Sequence, residues 1–205
     1  MIKNLLIDFG GVLIDLQKDV CIRNFHALGV TGLEPLLEDC HQKGFLMDFE
    51  LGNLSKEAFC DQMRTLGNVP STTTNEDITE AWNSFLIGIP RYKLQQLLDL
   101  RKDYRMILLS NTNEIHWAWT LQHDFSWEGH TLFDFFDEAY LSFVRHKAKP
   151  AADIFQDIIN ETQIIPTETL FIDDSPANCH TAETFGIKTF TPEARMDWVE
   201  KLFPK

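Results

Sequence analysis

Near the head of the chain, Leu5-Leu6-Ile7-Asp8-Phe9-Gly10-Gly11 joins an unbroken apolar run to a carboxylate and then to two glycines. A continuous apolar run without alternation suits a strand buried on both faces, and such strands belong to parallel sheets covered by helices. The same pattern recurs twice: Met106-Ile107-Leu108-Leu109 runs into Ser110-Asn111-Thr112-Asn113, and Leu170-Phe171-Ile172 runs into Asp173-Asp174-Ser175-Pro176. Shorter candidate strands are Ala139-Tyr140-Leu141 and Ile187-Lys188-Thr189-Phe190. Between them apolar residues fall at helical spacing, at Leu94, Leu97 and Leu98, at Ile154, Phe155, Ile158 and Ile159, and at Ala182 and Phe185. This alternation of strand and helix from about residue 90 predicts an α/β fold with a doubly wound parallel sheet. Such sheets bind ligands outside the carboxyl ends of their strands, which is where the three polar clusters fall.

The segment from Asp15 to Ile89 breaks the alternation. Val20, Phe25 and Leu28, then Leu33, Leu36 and Leu37, then Phe59, Met63 and Leu66 recur at helical spacing, with no convincing strand among them. Ser55 before Lys56-Glu57-Ala58 reads as a helix cap, and Ser71-Thr72-Thr73-Thr74-Asn75 as a polar loop before a helix holding Ile78, Trp82 and Phe85. The predicted organisation is an α/β core of residues 1–14 and 90–205 with a helical cap, residues 15–89, inserted after the first strand.

Composition narrows the partners. With 205 residues, 44% of them hydrophobic, the chain can bury one core and carry an insertion. Its 18 Lys+Arg against 31 Asp+Glu give a net charge of −13, which repels nucleic-acid backbones and anionic membrane surfaces. No apolar run approaches the roughly 18 residues of a membrane span, and the run before Asp8 is too short for a signal peptide. A cytoplasmic monomer or homodimer acting on a small molecule is expected, with no nucleic-acid or membrane partner. Cys21, Cys40, Cys60 and Cys179 form no Cys-x-x-Cys pair and read as reduced thiols.

The chemistry lies at the strand ends. Asp8, closing a strand before two glycines, has the placement of a nucleophile or a metal ligand, although a strand-end Asp can equally cap a turn. Asp173-Asp174 beside it would repel unless a divalent cation lay among the carboxylates; magnesium, which takes a few carboxylates and leaves positions for phosphate, fits this need. Ser110-Asn111-Thr112, read as opening a helix, offers a hydroxyl and free amides to an anion. Lys149, before Pro150 and the helical run Ala151-Ala152-Asp153-Ile154-Phe155, can hold a phosphate as a point charge. Asp8-Phe9-Gly10 also spells a protein-kinase motif, but nothing before it provides a nucleotide lobe, and no G-x-x-x-x-G-K-[ST] or G-x-G-x-x-G loop occurs.

In order and spacing, these four clusters resemble the motifs of the haloacid dehalogenase-like superfamily, in the subgroup with a helical cap after the first strand. Asp8-Phe9-Gly10-Gly11-Val12-Leu13 matches motif I, Leu108-Leu109-Ser110-Asn111 motif II, Lys149-Pro150 motif III and Phe171-Ile172-Asp173-Asp174 motif IV. The resemblance implies a magnesium-dependent phosphatase of small phosphate esters, sugar phosphates among them. It implies catalysis by Asp8 and Lys149, substrate binding by Ser110, Asn111 and Lys149, and magnesium held by Asp8, the carbonyl of Gly10, Asp173 and Asp174. Asn178 falls where similar proteins carry an Asn in support.

One departure bears on mechanism. Most phosphatases of the family place an acid–base Asp two residues after the nucleophile, where this chain has Gly10. A smaller Asp-x-Gly set includes a bacterial phosphatase of glucose 1-phosphate. Ala148 and His146 depart where Arg and Gly are common. Asp15, Glu50 or substrate hydroxyls are candidate substitutes for the missing acid. Two other readings stay open. One is a dehalogenase or a phosphonatase with a cap lysine such as Lys18, Lys43 or Lys56, although the Asp pair speaks against a metal-free dehalogenase. The other is a non-catalytic binder of a phosphometabolite. Phe45, Phe49, Trp82, Phe85, Trp117 and Trp119 are candidates for an apolar wall over the ligand, although an aromatic stripe at helical spacing is more often core, and His41 and His116 read as structural.

Overall fold

The computed structural model describes residues 1–37 and 44–204. Its strands are β1 (Asn4–Ile7), β2 (Asp15–Leu16), β3 (Leu86–Gly88), β4 (Arg105–Ser110), β5 (Glu138–Leu141), β6 (Thr169–Ile172) and β7 (Lys188–Phe190). The helices are α1 (Lys18–Ala27), α2 (Phe45–Glu50), α3 (Lys56–Thr65), α4 (Asn75–Asn83), α5 (Arg91–Leu100), α6 (Glu114–His123), α7 (Leu132–Phe135), α8 (Ser142–Arg145), α9 (Ala152–Thr162), α10 (Pro176–Thr184) and α11 (Trp198–Leu202). Cys40, His41 and Lys43 lie outside the described residues.

The main sheet has the order β5-β4-β1-β6-β7, all neighbours parallel. All five expected strands are present. Their unbroken hydrophobicity has a direct cause, because successive side chains point to opposite faces and both faces are covered. Leu5, Ile7, Met106 and Leu108 pack on one side with Leu94 and Leu97 of α5, Trp117 of α6 and Trp198 of α11. Leu6, Ile107, Leu109 and Phe171 pack on the other with Ile154, Phe155 and Ile158 of α9 and Ala182 of α10. In register, Ile7 lies opposite Leu108 on one side and Ile172 on the other. Asp8, Leu109 and Asp173, each one residue further on, therefore reach the carboxyl edge together.

The helices from α1 to α4 build a cluster of their own. Cys21 and Phe25 of α1, Phe49 of α2, Phe59 and Met63 of α3, and Ile78 and Trp82 of α4 are all buried in it, and Ile115 of α6 reaches in from the sheet side. Ser55 caps α3 as expected by accepting from the Ala58 N–H at 3.2 Å, and Thr74 with Asp77 forms a capping box on α4. The expectation of a strand-free insertion is corrected. β2 and β3 pair antiparallel at its entry and exit, too short to show a period in sequence. Among the described residues no helix is long and apolar enough to cross a membrane.

Candidate active site

The register that brings Asp8 and Asp173 to one edge leaves a gap between them, and Lys149 fills it. Its Nζ donates to Asp8 Oδ1 at 2.6 Å, to Asp173 Oδ2 at 2.7 Å and to the Leu109 carbonyl at 3.0 Å. The ammonium is buried, so these bonds replace its water. Burial lowers its affinity for a proton, but the Asp8 and Asp173 carboxylates outweigh this and hold Lys149 above its ordinary value. The Lys149–Pro150 peptide is cis. Asn111 clamps the same residue from below: its Nδ2 donates to the Lys149 carbonyl and its Oδ1 accepts from the Lys149 N–H, both at 2.9 Å.

This gives Asn111 a different place from the one expected. Both atoms of its side-chain amide are engaged by the Lys149 backbone. Ser110 is buried at the end of β4 and its hydroxyl makes only a long 3.4 Å bond to the Asn111 carbonyl, which leaves it available to an anion. The expected helix start at Ser110-Asn111-Thr112 is also corrected. Asn113 is the N-cap of α6, accepting from the His116 N–H at 3.1 Å, so Ser110 ends β4 and Asn111 and Thr112 lie on the loop before the helix.

Three carboxylates converge. One oxygen each of Asp8, Asp173 and Asp174 can lie within 4.8 Å of the others. Against them stands the single ammonium of Lys149, leaving a deficit that a divalent cation would neutralise. Burial pushes the Asp8 carboxyl up to about 7; Lys149 pulls against this, and Asp173 and Asp174 add to it. Partial removal of its carboxyl from water raises Asp174 as well, with Asp173 adding and Lys149 opposing.

The surroundings fit a cation. Gly11, at φ +73, lies so close to Asp174 that a Cβ there would stand 2.0 Å from its Oδ2, so glycine makes the cradle possible. Asn178 donates to both oxygens of Asp173, at 3.0 and 3.1 Å, while its own Oδ1 is buried without a protein partner, a ready acceptor for a metal-bound water. The two Asp residues of the pair differ. Asp173 is fully buried with both oxygens engaged by Lys149, Asn178 and the Ser175 N–H, whereas Asp174 is exposed beside Gly11. Lys93, which donates to the Val12 carbonyl at 2.8 Å, and Trp198, which donates to it at 3.3 Å, hold the turn that follows Gly11.

Of the candidate aromatics, Phe49, Trp82 and Trp117 take the core role rather than that of a wall over the ligand. Phe49 stacks on Phe59 at 4.3 Å, and Phe59 packs on Trp82 at 5.2 Å, inside the insertion's own core. Trp117 lies edge-on to Phe9 at 6.1 Å in the core beside the sheet. His116 is structural. It stacks on Trp82 at 4.8 Å, and its Nε2 bonds the Trp82 carbonyl at 3.0 Å while burial depresses it to about 4. Clefts of about 280 and 270 Å³ open along α6 where the insertion meets it, but neither is lined by Asp8, Ser110, Lys149 or Asp174. The residue that sequence reasoning missed is Ser142. Its Oγ accepts from the Thr112 N–H at 2.9 Å and donates to the Glu50 carbonyl at 2.7 Å, joining insertion to core, and no local pattern marks it.

Residues 2–186 match the model of the haloacid dehalogenase-like hydrolases. The chain belongs to this family. It is 39% identical to the D-ribitol-5-phosphate phosphatase of Bacteroides thetaiotaomicron over 98% of this chain and 97% of that protein. Among solved structures, it superposes on a wild-type family enzyme from the same organism, in complex with magnesium and inorganic phosphate. The TM-score is 0.92 and the identity 42%, over 99% of this chain and all of that one. A family hydrolase of Porphyromonas gingivalis matches with TM-score 0.89 and 38% identity over 100% of this chain and 99% of that one. An L-2-haloacid dehalogenase shares only the fold, at TM-score 0.61 and 16% identity over 97% of this chain and 87% of that one.

Proposed function

We propose that this phosphatase of the haloacid dehalogenase-like family hydrolyses small sugar or polyol phosphates through a phosphoaspartate on Asp8. The observation that carries the assignment is the buried Lys149 ammonium bonded at once to Asp8 and Asp173 beside an available Ser110 hydroxyl. The substrate class is supported by the ribitol 5-phosphate activity of the 39% identical relative. The net charge of −13 supports a role without nucleic-acid or membrane partners; we place the protein in the cytoplasm as a monomer or homodimer.

Asp8 attacks phosphorus, the ester oxygen departs, and water then cleaves the acyl phosphate. Lys149 opposes the protonation of Asp8, orients its carboxylate and lies where it can offset charge on the phosphoryl oxygens. Ser110 donates its hydroxyl to one of those oxygens, and any part Asn111 takes in binding falls to its backbone N–H. Asp8, the Gly10 carbonyl and Asp174 are the residues that would hold magnesium, with Asp173 acting through Lys149 and Asn178. Bound there, magnesium supplies positive charge against the phosphoryl group. Residues 15–89 form the cap that closes over the substrate.

The test is hydrolysis of ribitol 5-phosphate and glucose 1-phosphate with and without magnesium, together with binding of beryllium trifluoride to parent and Asp8→Asn. Magnesium-dependent turnover and trifluoride binding in the parent alone are expected. Equal turnover by Asp8→Asn would overturn the covalent mechanism, and phosphate binding without turnover on any ester would favour the regulator.

A further inference from the structure

Gly10 contributes no carboxyl where most phosphatases of the family have one, yet the place is not crowded: a Cβ there would touch only Leu16 Cδ1, at an ordinary 3.5 Å. Asp15, the nearest later carboxylate in the chain, is turned elsewhere. It faces Arg195 at 3.9 Å and acts on Lys93, and it is absent from the groups that perturb Asp8.

A second candidate carboxyl lies on the insertion. Glu50 is the last residue of α2, and residues 50 to 52 are fixed to the core one after another. The Glu50 carbonyl accepts from Ser142 Oγ at 2.7 Å, and the Leu51 carbonyl bonds His146 Nδ1 at 2.7 Å. Gly52, at φ +67, approaches Phe143 so closely that a Cβ would lie 2.0 Å from its carbonyl oxygen. Ser142 Oγ also bonds Thr112, so one hydroxyl ties the Glu50 backbone to the loop carrying Ser110. The Glu50 side chain is partly buried, and the charged groups that act on it are Lys149 and Asp8 of the core. Arg145 of the adjoining α8 is engaged by Glu161, and His146 by Leu51.

We infer that Glu50 is the general acid and base of this enzyme, presented from the cap side to the leaving oxygen in place of the carboxyl that Gly10 lacks. The inference rests on the phosphatase reading above. In the first step the bond from Asp8 to phosphorus forms and the ester oxygen–phosphorus bond breaks, while the Glu50 proton passes to the departing oxygen. In the second, water attacks phosphorus and gives its proton to the Glu50 carboxylate as the Asp8–phosphorus bond breaks, which restores both groups. The environment suits the first step. Burial, opposed by Lys149 and reinforced by Asp8, pushes Glu50 up to about 8, the direction that favours the protonated acid this step needs.

The experiment compares parent, Glu50→Gln and Glu50→Gln/Gly10→Asp on ribitol 5-phosphate, a poor leaving group, and on 4-nitrophenyl phosphate, a good one. Loss of a general acid–base costs about 10²–10⁴-fold, so Glu50→Gln should lose that much turnover on the polyol phosphate. With nitrophenyl phosphate it should give a burst near one equivalent followed by slow release, and Gly10→Asp should recover part of the turnover. An unchanged thermal midpoint and unchanged beryllium trifluoride binding verify the fold. Equal losses on both esters with no burst would overturn the proposal and make Glu50 a substrate-binding or cap-positioning residue; unchanged kinetics would also overturn it. A parent inactive on every ester would defeat the phosphatase reading itself, and the Glu50 role with it.

Discussion

Lys149 and Trp82 anchor their two regions, and they do so by opposite means. Lys149 is a buried ammonium held by two carboxylates and a carbonyl at the sheet edge. Trp82 is a buried ring among Phe25, Phe59 and His116, with one hydrogen bond from its Nε1 to Asn113 at 3.3 Å. Buried charges contribute little net stability but are sharply intolerant of losing a partner, whereas an aromatic cluster contributes burial and tolerates small displacements. The core edge is thus a fixed electrostatic frame set by strand register, and the insertion is an apolar body hung above it through Ser142, His146 and His116. Changes at the edge should abolish chemistry with modest effect on folding. Changes in the insertion should do the reverse.

The widest separation is expected at Asp8→Asn. It removes the nucleophile while the amide keeps the volume and Lys149 keeps Asp173, so turnover should fall by about 10⁴-fold or more with the thermal midpoint nearly unmoved. A large drop in midpoint would show that the edge is structural as well as catalytic. Lys149→Ala breaks the contrast on purpose. It leaves Asp8 and Asp173 buried without their cation, so both activity and stability should fall, the latter by about 3–5 kcal/mol in urea titration, with magnesium recovering part. On the other side of the comparison, Trp82→Ala should cost about 3–5 kcal/mol by cavity formation. Its activity loss should lie mainly in KM, and a loss confined to kcat would show that the cap orders the nucleophile.

His116 joins the two regions, and its titration tests the joint. Its Nε2 donates to the Trp82 carbonyl and its Nδ1 accepts from Asn113, so the ring is neutral when folded. Folding depresses it from 6.5 to about 4, so below pH 6.5 the unfolded chain takes a proton that the folded one refuses. Stability from this group is therefore intact above 6.5 and is lost as pH falls toward 4, by about 3 kcal/mol at the lower end. His116→Asn should flatten that slope in denaturant titrations between pH 7 and 4.5; an unaltered slope would place the acid sensitivity elsewhere.

Much of the edge was legible because its chemistry is local: an apolar run sets the strand, and the next residue is the site. The gathering of Asp8, Lys149, Asp173 and Asp174 at one edge follows from the ends of those strands and the loop beside them. What sequence alone left open depends on long-range partnership. The side chain of Asn111 is taken up by the Lys149 backbone 38 residues away, and Phe49 and Trp82 are settled as core only by Phe59 packing between them. Ser142, 92 residues from Glu50, carries no pattern at all. β2 and β3 escaped because two or three residues cannot display a period.

The smallest effect is expected at Gly10→Asp, and it is informative because it is small. Gly10 is not at positive φ and a Cβ finds ordinary contact there, so the variant should fold. If Glu50 already moves the proton, a second carboxyl adds little, and turnover of ribitol 5-phosphate should change by less than about tenfold, a few tenths to one step on the general acid–base scale. The parent should then release product linearly from the first turnover, with little dependence on leaving-group pKa. If nothing supplies the proton, nitrophenyl phosphate should phosphorylate Asp8 in a burst, and Gly10→Asp should shrink that burst and speed turnover by about 10²-fold or more. That second outcome would move the proton transfer from the cap back to the sheet edge and erase the functional half of the contrast between the regions.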